Sequence, residues 1–308
     1  MQALVYKSTG NWYQVKDEQG KMFVARIAGK LKTEDITSSN PIAVGDFVEL
    51  KEESDDECKI ISSVKPRKNY INRVSPHNKN QHIIIAANLD QAILFATLKD
   101  PKTSLGFIDR FLVSSEAYHV PVILVFNKCD LYKDKERAQF EKINAIYGAA
   151  GYSVMAISVK EKIGITEIQE ILKGKTTLFS GHSGVGKSSF LNEILPTQNQ
   201  KTKEVSNWSG KGMHTTTFAE MFDLPGGGKI IDTPGIRELG LVDISREELS
   251  HYFPEMLKTL NDCRFNNCQH LDEPGCAVKA AVENHSISME RYMSYLTIRD
   301  TLPENNWS

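Results

Sequence analysis

Apolar and polar positions follow different rhythms in successive parts of the chain. From residue 1 to about 64 the apolar runs are short or alternating: ALVY, WYQV, MFVARI, FVEL and CKIISSV. Gly10, Gly20, Gly29 and the Gly45-Asp46 pair punctuate them. Short strands divided by turn residues at this spacing predict a small β-barrel. A five-stranded OB-like barrel fits the length, and an SH3-like barrel stays open as the alternative.

From residue 82 to about 250 the rhythm changes. HIIIAAN, QAILFAT, VPVILVF, YSVMAIS, TTLFS, FAEMFDL and KIID read as strands. GFIDRFLVSSEAYH, DKERAQFEKINAIYGAAG and the stretch after GHSGVGKSS read as helices. Apolar strands alternating with helices predict a mostly parallel sheet covered on both faces. Beyond about 250, HYFPEMLKTL reads as a helix and AVKAAVENHSISMERYMSYLTIRDTL as another, on either side of a Cys/His cluster. The expected parts are a barrel over 1–68, an α/β domain over 69–245 and a helical domain over 246–308.

Between barrel and sheet lies KPRKNYINR (65–73), with Lys65, Arg67, Lys68, Arg73 and Tyr70 and no acid. It reads as a basic linker. It is either a solvated connector or a contact for phosphate backbone, with Tyr70 as a stacking surface. Charge elsewhere gives no such lead. The chain carries a formal charge of −2, and residues 1–64 hold eight Lys or Arg against eleven acids. A nucleic-acid partner therefore requires a local patch. MQALVYKSTGNW lacks the apolar core of a signal peptide, and no apolar run is long enough for a bilayer, so the expectation is a cytoplasmic protein with no membrane contact.

GHSGVGKS (181–188) matches G-x-x-x-x-G-K-[ST] in full, after a strand and before a helix. Gly181, Gly184 and Gly186 let the backbone turn its N–H groups toward phosphate oxygens. The candidate cradle is Gly181, His182, Ser183, Gly184, Val185, Gly186, Lys187, Ser188 and Ser189. Lys187 would bridge the β- and γ-phosphates, acting catalytically on the charge that develops there, and Ser188 would hold Mg²⁺. KIIDTPG (229–235) supplies Asp232, a candidate for Mg²⁺ through water, and Gly235, whose N–H would meet a γ-phosphate. The polar segment SNWSGKGMHTTT (206–217) offers Thr215 or Thr216 to complete the Mg²⁺ shell when the γ-phosphate is present.

NKCD (127–130) follows the strand VILVF. Asp130 would accept from guanine N1–H and N2–H, which adenine cannot offer. Asn127 would orient the loop and Lys128 would lie over the ring. AISVK (156–160) would present a backbone N–H to guanine O6 with Ser158 holding the turn. The base-reading motif precedes the phosphate-reading one, the reverse of the order in Ras-like GTPases. A parallel α/β sheet tolerates this if the old ends are joined and the chain is cut after KIIDTPG, since every strand keeps its neighbours. The switch then leads straight into the C-terminal segment. A nucleoside kinase would share the phosphate loop but not need NKCD.

Of five cysteines, Cys58 and Cys129 stand alone, while Cys263-x4-Cys268-x-His270-x5-Cys276 brings four soft or borderline donors together. Three thiolates and an imidazole fit a closed, structural, tetrahedral Zn²⁺ site.

Together these residues resemble the RsgA (YjeQ) family of bacterial circularly permuted GTPases. The resemblance rests on the permuted motif order, the C-x4-C-x-H-x5-C spacing and the GxHTTT stretch from Gly212 to Thr217, and it spans essentially the whole chain. It implies an N-terminal OB fold, a permuted P-loop GTPase domain and a mainly α zinc-binding domain. It also implies GTP hydrolysis stimulated by the small (30S) ribosomal subunit and its 16S rRNA, in late maturation of that subunit. The expected cofactors are one structural Zn²⁺ and Mg²⁺ with GTP, in a monomer exchanging GTP and GDP. Ile236 stands where many GTPases carry a water-orienting Gln. Intrinsic hydrolysis is therefore expected to be slow, with His214 the candidate for positioning water, or else a group from the ribosome. A GTP-dependent RNA-binding module with incidental hydrolysis is the competing reading.

Overall fold

Alternation in the first strands decides which side chains line the barrel. In the computed structural model, which describes residues 1–10, 12–27, 41–51, 58–74, 82–195, 219–233 and 241–303, five strands close on one another. They are β1 (Gln2–Ser8), β2 (Trp12–Asp17), β3 (Met22–Ile27), β4 (Phe47–Lys51) and β5 (Lys59–Val64). Their order is β1-β2-β3-β5-β4, with β4 returning to β1 and β3 parallel to β5. That closed five-stranded order realises the OB-like alternative. Ala3, Val5, Tyr13, Val15, Ala25, Val48, Leu50 and Ile61 fill its interior at every second position.

The basic stretch is not a free linker. Its second half forms β6 (Tyr70–Val74), which among the described residues pairs with β7 (His82–Ala87) alone, in a separate two-stranded sheet. Most of its charges are committed to acids that lie elsewhere in the sequence. Lys65 pairs with Glu49 at 2.5 Å and Lys68 with Asp90 at 3.0 Å. Arg67 grips Asp46 with two donors, Nε to Oδ1 at 2.7 Å and Nη2 to Oδ2 at 2.6 Å, with the Asp46 side chain 0% exposed. Tyr70 stacks on Tyr118, ring centroids 4.7 Å apart. Gly45 completes this join. Its φ is +94°, and a Cβ there would lie 2.1 Å from the Ala87 carbonyl oxygen, so no other residue allows the approach.

The α/β sheet runs β10 (Ser153–Ala156), β9 (Val122–Phe126), β8 (Gln91–Ala96), β11 (Thr176–Ser180), β13 (Lys229–Asp232), β12 (Glu220–Asp223). The first five are parallel and β12 is an antiparallel edge. Strand β8 is buried throughout, because each of its faces meets helices. Ala92, Leu94 and Ala96 face α1 (Leu105–Ala117) and α2 (Asp134–Ala150). Ile93 and Phe95 face α3 (Ile165–Leu172) and α4 (Lys187–Ile194). The permutation is plain in this order. The chain enters the sheet at β8, beside β11, and leaves it at β13, on the other side of β11. Outside β12 the barrel continues the sheet, with Lys7 of β1 opposite Glu220.

The C-terminal part departs from its expected helices. HYFPEMLKTL folds as a 3₁₀ turn, Leu249–Tyr252, and a short helix α5 (Pro254–Leu257). The long final helix is two, α6 (Ala277–Glu283) and α7 (Met289–Thr301). The Ser288 side chain accepts the Arg291 N–H and starts α7 as an N-cap, a signal within NHSISME that competes with continuous helix. These elements pack on α1, whose Val113 joins their core. Arg291 of α7, 1% exposed, reaches Asp109 of α1 at 2.6 Å and Glu255 of α5 at 2.6 Å. The C-terminal part is therefore docked on the α/β domain through a buried ionic cluster, not merely tethered to the end of the switch. Among the described residues no helix is long and apolar enough to cross a membrane.

Candidate nucleotide and metal sites

The phosphate and base loops rise from adjacent parts of the sheet, at the carboxyl ends of its parallel strands, where open α/β sheets bind ligands. The segment 181–186 links β11 to α4, and 127–130 follows β9. Asn127 ties them together. It is 3% exposed; its Nδ2 donates to the Val185 carbonyl at 2.8 Å, and its Oδ1 accepts the N–H groups of Lys128 at 2.8 Å and Val159 at 3.2 Å. Gly186 makes room for this. Its φ is +98°, and a Cβ would sit 2.2 Å from Asn127 Nδ2.

Asp130 is held by the next strand end. The Ser158 hydroxyl donates to Asp130 Oδ1 at 2.5 Å and accepts the Glu161 N–H at 3.1 Å. Ser158 is fully buried and fixes both the turn and the carboxylate. Lys128 adopts a left-handed backbone, φ 66°, and its Nζ donates to the Asp100 carbonyl. Sequence reasoning missed Asp100, which acts through its backbone and so leaves no mark in residue type. It also missed Phe107 of α1, on which the His182 ring packs at 3.7 Å between centroids. Burial, and secondarily Lys187, push the His182 imidazole below its usual pKa and favour its neutral form.

Lys187 opens α4 and is buried. Its Nζ donates to the Gly181 carbonyl at 2.5 Å and the His182 carbonyl at 3.1 Å. Burial lowers its pKa, and the nearby Asp232 carboxylate opposes that. Burial in turn raises the Asp232 pKa, opposed by Lys187. Asp232 Oδ1 is buried with no hydrogen-bond partner among the described residues. A buried carboxylate oxygen without a donor, next to a phosphate loop, fits a hydrated Mg²⁺. Ser183 and Gly184 are exposed on the loop, and Ser188 and Ser189 on the first turn of α4. His214, Thr215, Thr216, Gly235 and Ile236 lie outside the described residues.

The Cys/His donors converge. Donor atoms of Cys263, Cys268, His270 and Cys276 all lie within 4.8 Å of one another. His270 Nδ1 is 3.4 Å from Cys276 Sγ and 3.8 Å from Cys263 Sγ. Burial, with Cys276 and Cys263 adding to it, pushes the Cys268 thiol up to about 12. Three thiolates this close repel one another unless a cation neutralises them, so the donor set fits a Cys₃His zinc site. Burial lowers the His270 pKa and favours the neutral, ligating imidazole. The loop is fastened to α7, since the hydroxyls of Tyr292 and Tyr295 donate to the carbonyls of His270 at 2.6 Å and Gln269 at 2.8 Å. Cys268→Ser is expected to reduce bound zinc from about one per chain to well under half. The loss should cost at least about 2 kcal/mol of stability, read by metal analysis and thermal unfolding of the same sample.

Comparison with known proteins agrees with this arrangement. The family description RsgA GTPase matches residues 64–242, and the RsgA N-terminal domain matches residues 2–60. The chain is 48% identical over 307 residues to small ribosomal subunit biogenesis GTPase RsgA 2 of Bacteroides thetaiotaomicron, covering 100% of this chain and 99% of that one. It is 50% identical over 300 residues to the RsgA of Flavobacterium psychrophilum, covering 97% and 92%. The crystal structure of YjeQ from Thermotoga maritima superposes with a TM-score of 0.77 at 36% identity, covering 98% of each chain. That of YloQ, described as a circularly permuted GTPase, gives 0.73 at 31% identity, covering 98% and 96%. With its permuted sheet, its linked base and phosphate loops and these matches along its length, the chain belongs to the RsgA GTPase family.

Proposed function

We propose that this chain hydrolyses GTP and acts in late maturation of the small ribosomal subunit, contacting its 16S rRNA, with hydrolysis stimulated by the subunit. The observation that carries the nucleotide reading is Asn127, whose side chain joins the base loop to the phosphate loop. The ribosomal reading is supported by the names of the relatives, small ribosomal subunit biogenesis GTPases. Asp130, held by Ser158, selects guanine. Lys128 lies over the base. The loop from Gly181 to Ser189 cradles the phosphates and Lys187 meets the β- and γ-phosphates. Ser188 and Asp232, the latter through water, hold Mg²⁺, with Thr215 or Thr216 completing the shell and Gly235 reading the γ-phosphate. Mg²⁺ supplies charge neutralisation across the phosphates when bound. His214 positions the attacking water, since Ile236 has no hydrogen-bonding group for that task. Zinc on Cys263, Cys268, His270 and Cys276 pins the C-terminal loop to α7. The protein works in the cytoplasm as a monomer, away from membranes.

Ile236 also favours a second reading, an RNA-binding module whose hydrolysis is incidental. Single-turnover hydrolysis with and without purified small subunits separates the two. A rise of at least about tenfold in rate, about 1.4 kcal/mol in the barrier, is expected on adding subunits. An unchanged rate supports the binding module and removes subunit-stimulated hydrolysis.

A further inference from the structure

The barrel and the nucleotide domain meet at a sheet edge through charged groups. The outer side of β12 is taken by β1, with Lys7 opposite Glu220 in the ladder. Lys7 Nζ donates to Glu220 Oε2 at 3.0 Å. The same contact grips the far end of β12, where the Tyr6 hydroxyl donates to Asp223 Oδ1 at 2.7 Å and Lys16 Nζ to Asp223 Oδ2 at 2.6 Å. On its inner side β12 pairs with β13, and Glu220 is the direct partner of Asp232. Directly opposed residues of an antiparallel pair share a face, with Cβ atoms about 4.5–5.5 Å apart. The charge of Glu220 therefore acts on Asp232, whose other charged neighbour among the described residues is Lys187. From the barrel to the phosphate loop, the two like charges of Glu220 and Asp232 are flanked by a cation on each side, Lys7 beside Glu220 and Lys187 beside Asp232.

We propose that Lys7, a residue of the barrel, is a positioning residue of the magnesium–nucleotide site, acting through Glu220. The inference rests on the reading of Asp232 as the carboxylate that holds Mg²⁺ through water. Like charges directly opposed on neighbouring strands repel. Without Lys7, Glu220 would place an uncompensated negative charge beside Asp232. That charge would draw the dication more tightly and oppose the γ-phosphate. Lys7 cancels it from the barrel side, and so sets how firmly the metal is held. Displacement of the barrel along β12 would change the charge at the metal site without any contact to nucleotide. The Lys7 and Glu220 side chains are 25% and 29% exposed, so solvent screens the effect to a moderate size.

The test is the Mg²⁺ dependence of fluorescent GDP binding to the full chain, read as the Mg²⁺ concentration for half-maximal affinity. Lys7→Met is expected to lower that concentration about threefold to tenfold, and Glu220→Gln, which leaves Lys7 unpaired, to raise it by a similar factor. The double substitution should return to within about twofold of the starting value, and Lys7→Arg should leave it unchanged. Lys7→Gln replaces Lys7→Met if the latter does not fold. A merely structural contact would instead move both single variants the same way, with the double variant further displaced. That result, or no shift in either single variant, overturns the proposal. If the unsubstituted protein binds GDP with no Mg²⁺ dependence, the reading of Asp232 falls and Lys7 with it. Mg²⁺ dependence in the unsubstituted protein with unshifted variants removes the role of Lys7 alone.

Discussion

Arg291→Met is expected to cost the protein about 3–5 kcal/mol of stability, the usual penalty for removing one partner of a buried ionic group. The guanidinium is enclosed. Its Nη1 donates to Asp109 Oδ1 at 2.6 Å, Nε to Glu255 Oε1 at 2.6 Å and Nη2 to Glu255 Oε2 at 3.2 Å. The Phe253 ring lies 4.6 Å from it, and the Tyr147 hydroxyl donates to the same Asp109 oxygen at 2.8 Å. Methionine fills much of the volume but leaves two carboxylates buried without their cation. Three elements, α1, α5 and α7, would lose their common anchor. At about 2–4 °C per kcal/mol, the melting temperature should fall by roughly 6–20 °C. Arg291→Met combined with Asp109→Leu and Glu255→Leu should recover most of the loss, because no buried charge then remains. A melt of the single variant within about 2 °C of the unsubstituted protein would show that the cluster does not hold the C-terminal part in place.

The second large effect is on nucleotide affinity. Asp130→Asn is nearly isosteric, so the turn around Ser158 should survive, but an amide cannot accept both guanine N–H groups as a carboxylate does. Hydrogen bonds to a charged group contribute about 1.5–3 kcal/mol each. Loss of the ionic acceptor should weaken GDP binding by about 100-fold or more, measured by titration of a fluorescent GDP. ATP should compete no better than before, since its phosphates meet the same loop. A loss under about threefold would remove Asp130 from the base site.

These two residues differ in how visible they were before the fold was known. Asp130 belongs to a local motif, and its neighbours in sequence, VILVF before and the helix after, already place it at a strand end. The phosphate loop, the permuted order of strands and the Cys₃His spacing were legible for the same reason, since each is written within a short segment. Arg291 was not legible. Its partners Asp109 and Glu255 lie 182 and 36 residues away, and within α7 it is one charged position among several. The stretch 65–73 misled in the opposite direction. It reads as unpaired charge because Glu49, Asp46 and Asp90, which neutralise Lys65, Arg67 and Lys68, come from other segments. The pairing of β1 with β12 has no signal in either strand, because an edge strand reads the same whether its outer side meets solvent or a barrel. The break between α6 and α7 was legible in principle, since Ser288 is a good N-cap. The apolar residues on either side of it continue the helical pattern and obscure it.

Cosedimentation with purified small ribosomal subunits tests the central reading most directly, comparing a non-hydrolysable GTP analogue with GDP. A GTP-dependent factor in subunit maturation should bind at least about tenfold more tightly in the analogue than in GDP, a difference of about 1.4 kcal/mol. Equal binding in the two nucleotides, or none in either, would contradict it.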